Sequence, residues 1–172
     1  DIVDSLRLHP EESKFIIERQ KRFLSQLYNE ESPEELSTEE LFLAHLVRFD
    51  KTEGTKIRPD LENLVGALEF DANRRGRTIL SRELKQYIDY NVVSYINISS
   101  KLLNVNDSSK PSLIAISRAG FIIDYLFDLR EDIALGYVNI PLEDIEKYGI
   151  DLTDFGDDAM RAWLKNKMES LR

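Results

Sequence analysis

Residues 121–135 read FIIDYLFDLREDIAL, and the rest of the chain is best read outward from them. Asp124, Asp128 and Asp132 recur at intervals of four. On a helix turning about 100° per residue, each stands about 40° round from the last, so the three form one stripe about 12 Å long. Ile123, Leu126, Phe127 and Ile133 lie around that stripe. Like charges at i, i+4 repel by a few tenths of a kcal/mol, roughly. A divalent cation relieves that repulsion, and Mg²⁺ takes one or two carboxylates while water and phosphate complete its shell. The competing reading is a solvated face with Arg130 and Lys147 nearby. Three acids in register within an apolar helix bring the two readings level. A second acidic pair, Asp1 and Asp4, is spaced i, i+3 and can share a helix face.

The surrounding sequence repeats the helical pattern. Phe15, Ile16, Phe23, Leu24 and Leu27 recur at near-helical spacing over 11–29, behind a first-turn Pro10. A second helix is expected over 38–49, capped by Ser37 or Thr38, and a third over 59–73. The tract Asn73-Arg74-Arg75-Gly76-Arg77 reads as a solvated basic turn, with phosphate contacts by Arg74, Arg75 and Arg77 as the alternative. A long helix is expected over 81–103, carried by Leu84, Tyr87, Ile88, Val92, Tyr95, Ile96 and Leu102. The segment 111–135 reads as one helix. Tyr137 to Pro141 reads as extended, and two short helices, 142–148 and 155–171, close the chain. The expected fold is an all-α helical bundle in a single domain spanning 1–172.

Composition excludes several chemistries. The 172 residues hold seven glycines and five prolines, which suits long helices with few turns. There is no cysteine, so disulfides, zinc–thiolate sites, iron–sulfur clusters and thiol nucleophiles are out. The two histidines, His9 and His45, cannot build a His-rich metal site. They also lack the Glu-x-x-His spacing of a di-iron bundle, since Leu6 and Phe42 stand three residues before them. The net charge of −9 argues against broad contact with a nucleic-acid backbone. No apolar run approaches the roughly 20 residues of a bilayer span. No Gly-rich dinucleotide fingerprint is present.

One stretch resembles a known family. Asp128-Leu129-Arg130-Glu131-Asp132 is followed by Gly136-Tyr137-Val138-Asn139-Ile140-Pro141 and then by a helix ending Lys147-Tyr148-Gly149. This is similar to the second aspartate-rich motif of the squalene/phytoene synthase family, D-x-x-x-D, with its G-R-x-Y-L-P sequel. Asp1-Ile2-Val3-Asp4 resembles the end of the family's first motif, and Gly66 to Asp71, Arg75 or Arg77, Glu83-Leu84 and Tyr87 resemble its middle segment. The partial first motif, with no starting methionine, makes the chain read as a piece of a longer one, truncated at both ends. The family implies an isoprenoid-synthase helical bundle in which two aspartate motifs hold Mg²⁺ across an apolar cavity. There the metals bind a prenyl diphosphate and help the diphosphate leave, and a second prenyl diphosphate attacks head to head.

Carried over by position, Asp4, Asp128 and Asp132 are the catalytic candidates. Asp1, Asp4, Asp124, Asp128 and Asp132 are the expected Mg²⁺ ligands. Asp71, Arg75, Arg77, Tyr87, Phe121 and Phe127 are the expected substrate contacts. Phe70, Tyr90 and Tyr95 are further lining candidates, though ordinary core packing is the commoner fate of any one ring. The resemblance implies a prenyl diphosphate partner, a cytoplasmic location and peripheral contact with membranes, where isoprenoids reside. It leaves oligomeric state open. The departures are specific. The family's N-x-x-R-D is Asp124 to Asp128 with Phe127 in the Arg place, its G-R is Gly136-Tyr137, and its V-A-G-x-V-G is Asn91 to Ile96 without glycine. They favour an alternative: a non-catalytic relative that acts as a protein-interaction or assembly factor. An unrelated bundle with a coincidental acid stripe is the third reading.

Overall fold

Helix boundaries follow local chemistry closely. In the computed structural model, which describes residues 10–30 and 36–170, α1 is Pro10–Tyr28, α2 Thr38–Glu53, α3 Arg58–Asn73 and α4 Ser81–Leu102. After a 3₁₀ turn at Asp107–Ser109 come α5 Lys110–Phe127, α6 Leu129–Ala134, α7 Leu142–Tyr148 and α8 Asp158–Glu169. Ser37 caps α2 in a reciprocal pair. Its hydroxyl accepts from the Glu40 N–H at 3.2 Å, and its own N–H donates to the Glu40 carboxylate at 2.9 Å. Gly54 ends α2 with φ +63°, a left-handed conformation that costs glycine nothing. Glu83 reaches back to the Leu80 N–H at 2.8 Å to start α4.

Among the described residues the structure is all helical, with one isolated parallel bridge between Ile79 and Pro141 in place of strands. That bridge is what the extended segment 137–141 becomes. The Leu142 N–H donates to the Ile79 carbonyl at 2.8 Å, and the Gly76 N–H to the Gly136 carbonyl at 2.8 Å. Helices α3 and α4 pack along each other, α5 lies on α4, α1 packs on α2 and α3, and α7 on α8. No helix among the described residues is long and apolar enough to cross a membrane.

Three apolar clusters follow in chain order. The first joins Leu24, Leu46, Val47, Ile57, Leu61, Val65 and Ile98 from α1 to α4. The second joins Ile79, Leu84, Ile88, Val92 and Tyr125, flanked by Phe70, Tyr87 and Phe121. The third joins Leu129, Val138, Ile140, Ile150, Met160 and Trp163. Trp163 is fully buried, and its indole N–H donates to Asp144 at 2.9 Å.

Two expected helices are corrected. The helix over 111–135 breaks at Asp128, whose φ −85° and ψ −1° lie in the bridge region. Across it Tyr125 packs in the second cluster and Leu129 in the third, with Leu126 touching both. The last helix starts at Asp158 rather than 155, because Asp151 and Asp154 accept from the Thr153 and Gly156 N–H groups at 2.8 Å each, forming turns.

Asp50 is a buried acid near the end of α2. It accepts from the Tyr28 hydroxyl at 2.6 Å, the Thr55 hydroxyl at 2.8 Å and the Ile57 N–H at 3.1 Å. Burial pushes its pKa up, but these donors together hold it below the usual carboxylate range. Asp144 is likewise depressed: burial opposes the charge, and Trp163 and Lys167 outweigh it. Depressed folded-state values mean that this stability is complete above the unfolded pKa of about 4 and is lost as pH falls through the folded values. Urea unfolding followed by circular dichroism should show stability falling below about pH 4. Asp50→Asn should lower stability at pH 7 by about 1–3 kcal/mol and flatten the acid limb.

Candidate functional site

The Asp stripe survives the helix break. The Asp128 N–H donates to the Asp124 carbonyl at 3.1 Å, and the Asp132 N–H to the Asp128 carbonyl at 2.8 Å. Helical register therefore runs unbroken through the three residues. Their environments differ. Asp124 and Asp128 are exposed, whereas Asp132 is buried at 3% exposure.

All three line one open pocket of about 180 Å³. Its other walls are Arg74, Tyr87, Phe121, Tyr125 and Asn139. Burial pushes the Tyr125 hydroxyl up to about 12, so that wall stays neutral at physiological pH. Tyr87 sits between Phe70, stacked at 5.3 Å between centroids, and Phe121, edge-on at 5.8 Å.

Behind the pocket runs a buried polar chain. Arg74, 1% exposed, donates from Nε to Asp71 at 2.7 Å and from Nη1 to the Asn139 side-chain oxygen at 2.8 Å. Asn139 in turn donates from Nδ2 to Asp132 at 2.7 Å. Because Arg74 can only donate, the Asn139 oxygen must face it and the amide nitrogen must face Asp132. The guanidinium also lies over the rings of Tyr87 at 5.1 Å, Tyr137 at 5.2 Å and Phe70 at 5.9 Å.

The expected site residues thus divide. Asp124, Asp128, Asp132, Tyr87 and Phe121 come together in the pocket. Asp71 does not line it: it is buried behind Arg74 as that residue's ion-pair partner at 2.6 Å. Arg75 lies outside, donating to the Leu135 carbonyl at 3.2 Å, and Arg77 pairs with Glu83 at 2.9 Å. Phe127 is 83% exposed and Tyr95 62%, both outside the pocket, because each falls on the outer face of its helix. Tyr90 packs on Gly66 and accepts from Gln86 at 2.7 Å. Asp1 and Asp4 lie outside the described residues.

Sequence reasoning offered Arg74 as a solvated turn residue or a phosphate contact and did not foresee its burial; it missed Asn139. The basic turn read as solvated holds the most deeply buried cation among the described residues. The signal available was the i, i+3 spacing of Asp71 and Arg74, a helical ion-pair distance. Asn139 carried no signal of its own in an otherwise apolar segment.

The pocket suits a hard cation in a limited way. Asp124 and Asp128 have no hydrogen-bond or ion-pair partner among the described residues, and no three His, Asp or Glu side chains there converge into a ligand cluster. Two carboxylates with water and a substrate phosphate are a normal Mg²⁺ shell. Asp132 is already committed to Asn139 at the pocket's inner end.

Compared with protein-family models, curated proteins and solved structures, the chain gives no match.

Removing Arg74 breaks a buried charge network. Arg74→Ala should cost about 3–5 kcal/mol in urea unfolding. Arg74→Lys should recover only part, because an ammonium cannot reproduce the planar fork between Asp71 and Asn139.

Proposed function

We propose that the chain is a squalene/phytoene synthase-like prenyltransferase domain with an isoprenoid-synthase bundle, joining two prenyl diphosphates head to head. The observation that carries this reading is the shared pocket: three aspartates one turn apart, facing the rings of Tyr87 and Phe121. Asp124 and Asp128 would hold Mg²⁺, which when bound supplies Lewis acidity and charge to a departing diphosphate. The donor's C–O bond breaks with its electron pair on the diphosphate. The double bond of the second substrate then attacks the allylic cation, and the new carbocation is discharged by loss of a proton to the departed diphosphate. Phe121 would offer its ring to that cation, while Tyr87, already stacked on Phe70 and under the Arg74 guanidinium, completes the wall. Arg74 supplies positive charge behind the pocket where the family's own arginines are replaced by Phe127 and Tyr137. Prenyl substrates reside in membranes, so this reading includes a cytoplasmic protein in peripheral contact with a bilayer surface.

A second reading is supported by two specific features. The Arg74 guanidinium occupies the space among Phe70, Tyr87 and Tyr137, and the pocket's 180 Å³ is below the roughly 300–1,000 Å³ of small-molecule sites. Such a chain would keep the fold and act as a non-catalytic interaction or assembly factor.

Diphosphate release from farnesyl or geranylgeranyl diphosphate, with and without Mg²⁺, separates the two. An enzyme releases diphosphate only with the metal, and Asp128→Asn should lower the rate by about 100-fold or more. Its melting temperature should stay level or rise, because a like-charge i, i+4 contact is gone. Absence of release leaves the interaction reading, and unfolding of Asp128→Asn makes the stripe structural.

A further inference from the structure

Arg118, Ile122 and Tyr125 stand four and three positions apart, so they share one face of α5. Ser81, Leu84 and Ile88 share a face of α4 by the same spacing. Between these faces lies an open cavity of about 280 Å³, larger than the acidic pocket and sharing only Tyr125 with it. Pro141, Lys167 and Ser170 complete its lining with Lys85 and Asp89. At about 30 Å³ per water, it has room for a ligand of roughly ten non-hydrogen atoms.

The lining separates into an apolar middle and polar ends. Arg118 and Tyr125 are seven positions apart, about 10 Å along the helix axis, with Ile122 between them. Leu84, Ile88 and Ile122 supply apolar surface to the same space. At the Arg118 end, Asp89 accepts from both Lys85 and Arg118 Nη2, so one negative charge serves two positive ones. The Nε and Nη1 donors of Arg118 have no partner among the described residues, and its side chain is 42% exposed. A guanidinium with donors to spare takes a carboxylate. Two acids nearby are already committed: Asp144 to Lys167 at 3.0 Å and to the Trp163 indole, and Glu143 to the Ser81 N–H at 2.9 Å.

Tyr125 marks the other end. It is 8% exposed and packs in one apolar cluster with Leu84 and Ile88, yet its hydroxyl makes no hydrogen bond among the described residues. Buried hydroxyls are normally paired, so this one lacks an acceptor. Burial and then the charge of Asp144 raise its pKa, and Asp144 is the ion-pair partner of Lys167 in the cavity's wall. The hydroxyl end of the ring therefore stands on the cavity's side, as a neutral donor.

We propose that the cavity between α4 and α5 binds a small amphiphilic acid, its carboxylate on Arg118, its hydrocarbon body against Leu84, Ile88 and Ile122, and a terminal oxygen accepting from Tyr125. The site is independent of the prenyltransferase reading, since Arg118 and the apolar body contacts lie outside the acidic pocket and no metal or diphosphate is involved.

Amide chemical shifts of the isotope-labelled chain, titrated with octanoate, ω-hydroxyoctanoate and 1-octanol, test it. Both acids should bind saturably with a dissociation constant of about 1 mM or below, the scale open to so small a ligand. The hydroxy acid should bind at least threefold tighter than octanoate, and 1-octanol at least tenfold weaker. The shifts should centre on Leu84, Ile88, Arg118 and Ile122. Arg118→Gln should weaken both acids at least tenfold, and Tyr125→Phe should abolish only the preference for the hydroxy acid. Both variants should keep the far-UV circular dichroism of the parent, and each tests the site if the other fails to fold. No saturable binding up to about 10 mM overturns the proposal, as it would if other residues of the chain fill the cavity. So does binding of 1-octanol as tight as that of octanoate, a hydroxy acid with no advantage, or an advantage that survives Tyr125→Phe.

Discussion

The buried guanidinium of Arg74 is the tie between the two halves of the site. It sits just past the end of α3, it is held by Asp71 one helical turn earlier, and it grips Asn139 from a segment 65 residues away. Burying a charge is costly unless it is paired and hydrogen-bonded. Here a carboxylate, an amide oxygen and three aromatic faces together replace the lost water. The geometry leaves little freedom, because the fork is planar and its acceptors come from different elements. Asn139 passes that constraint to Asp132, so the innermost acid of the pocket is positioned from α3 rather than from its own helix.

The pocket accordingly has two kinds of acid. Asp132 is buried and held by Asn139, whose other end is bound by the cation behind it. Asp124 and Asp128 are at the solvent side, without such a partner among the described residues. An anionic ligand bridged by a hard cation answers the outer pair. The ring of Phe121 answers an electron-poor carbon. Both features belong to the prenyl diphosphate reading, while the small volume and the filled aromatic box belong to its rival.

Much of the fold was legible because local signals agreed with the tertiary outcome. Ser37 and the apolar pattern place the start of α2, whereas its end, expected at 49, lies at Glu53 just before Gly54. The all-α architecture follows from the same patterns. What escaped was set by long-range packing. Nothing in the periodicity of 111–135 marks Asp128 as a break, since Tyr125 and Leu129 on either side continue the apolar pattern and only their packing partners differ. The burial of Arg74 escaped for the same reason: the residues that shield it, Phe70, Tyr87 and Tyr137, come from three separate segments. The acid stripe was legible in spacing, but its division into outer and inner members was not, because Asn139 decides it.

The third apolar cluster is built from one continuous stretch, Leu126 through Leu164. Such a contiguous block is the natural unit of sub-global opening in a native protein. It meets the rest of the chain through the Ile79–Pro141 bridge, the Arg74–Asn139 bond, the Gly76–Gly136 and Arg75–Leu135 hydrogen bonds and the bond from the Ser81 N–H to Glu143. When that block swings or melts as a foldon, Asp128, Asp132 and Asn139 leave together, while Tyr87 and Phe121 stay behind with α4 and α5. Assembly of the acidic half against its aromatic wall is then a docking event, and hydrogen exchange in the block reports how often the two are apart.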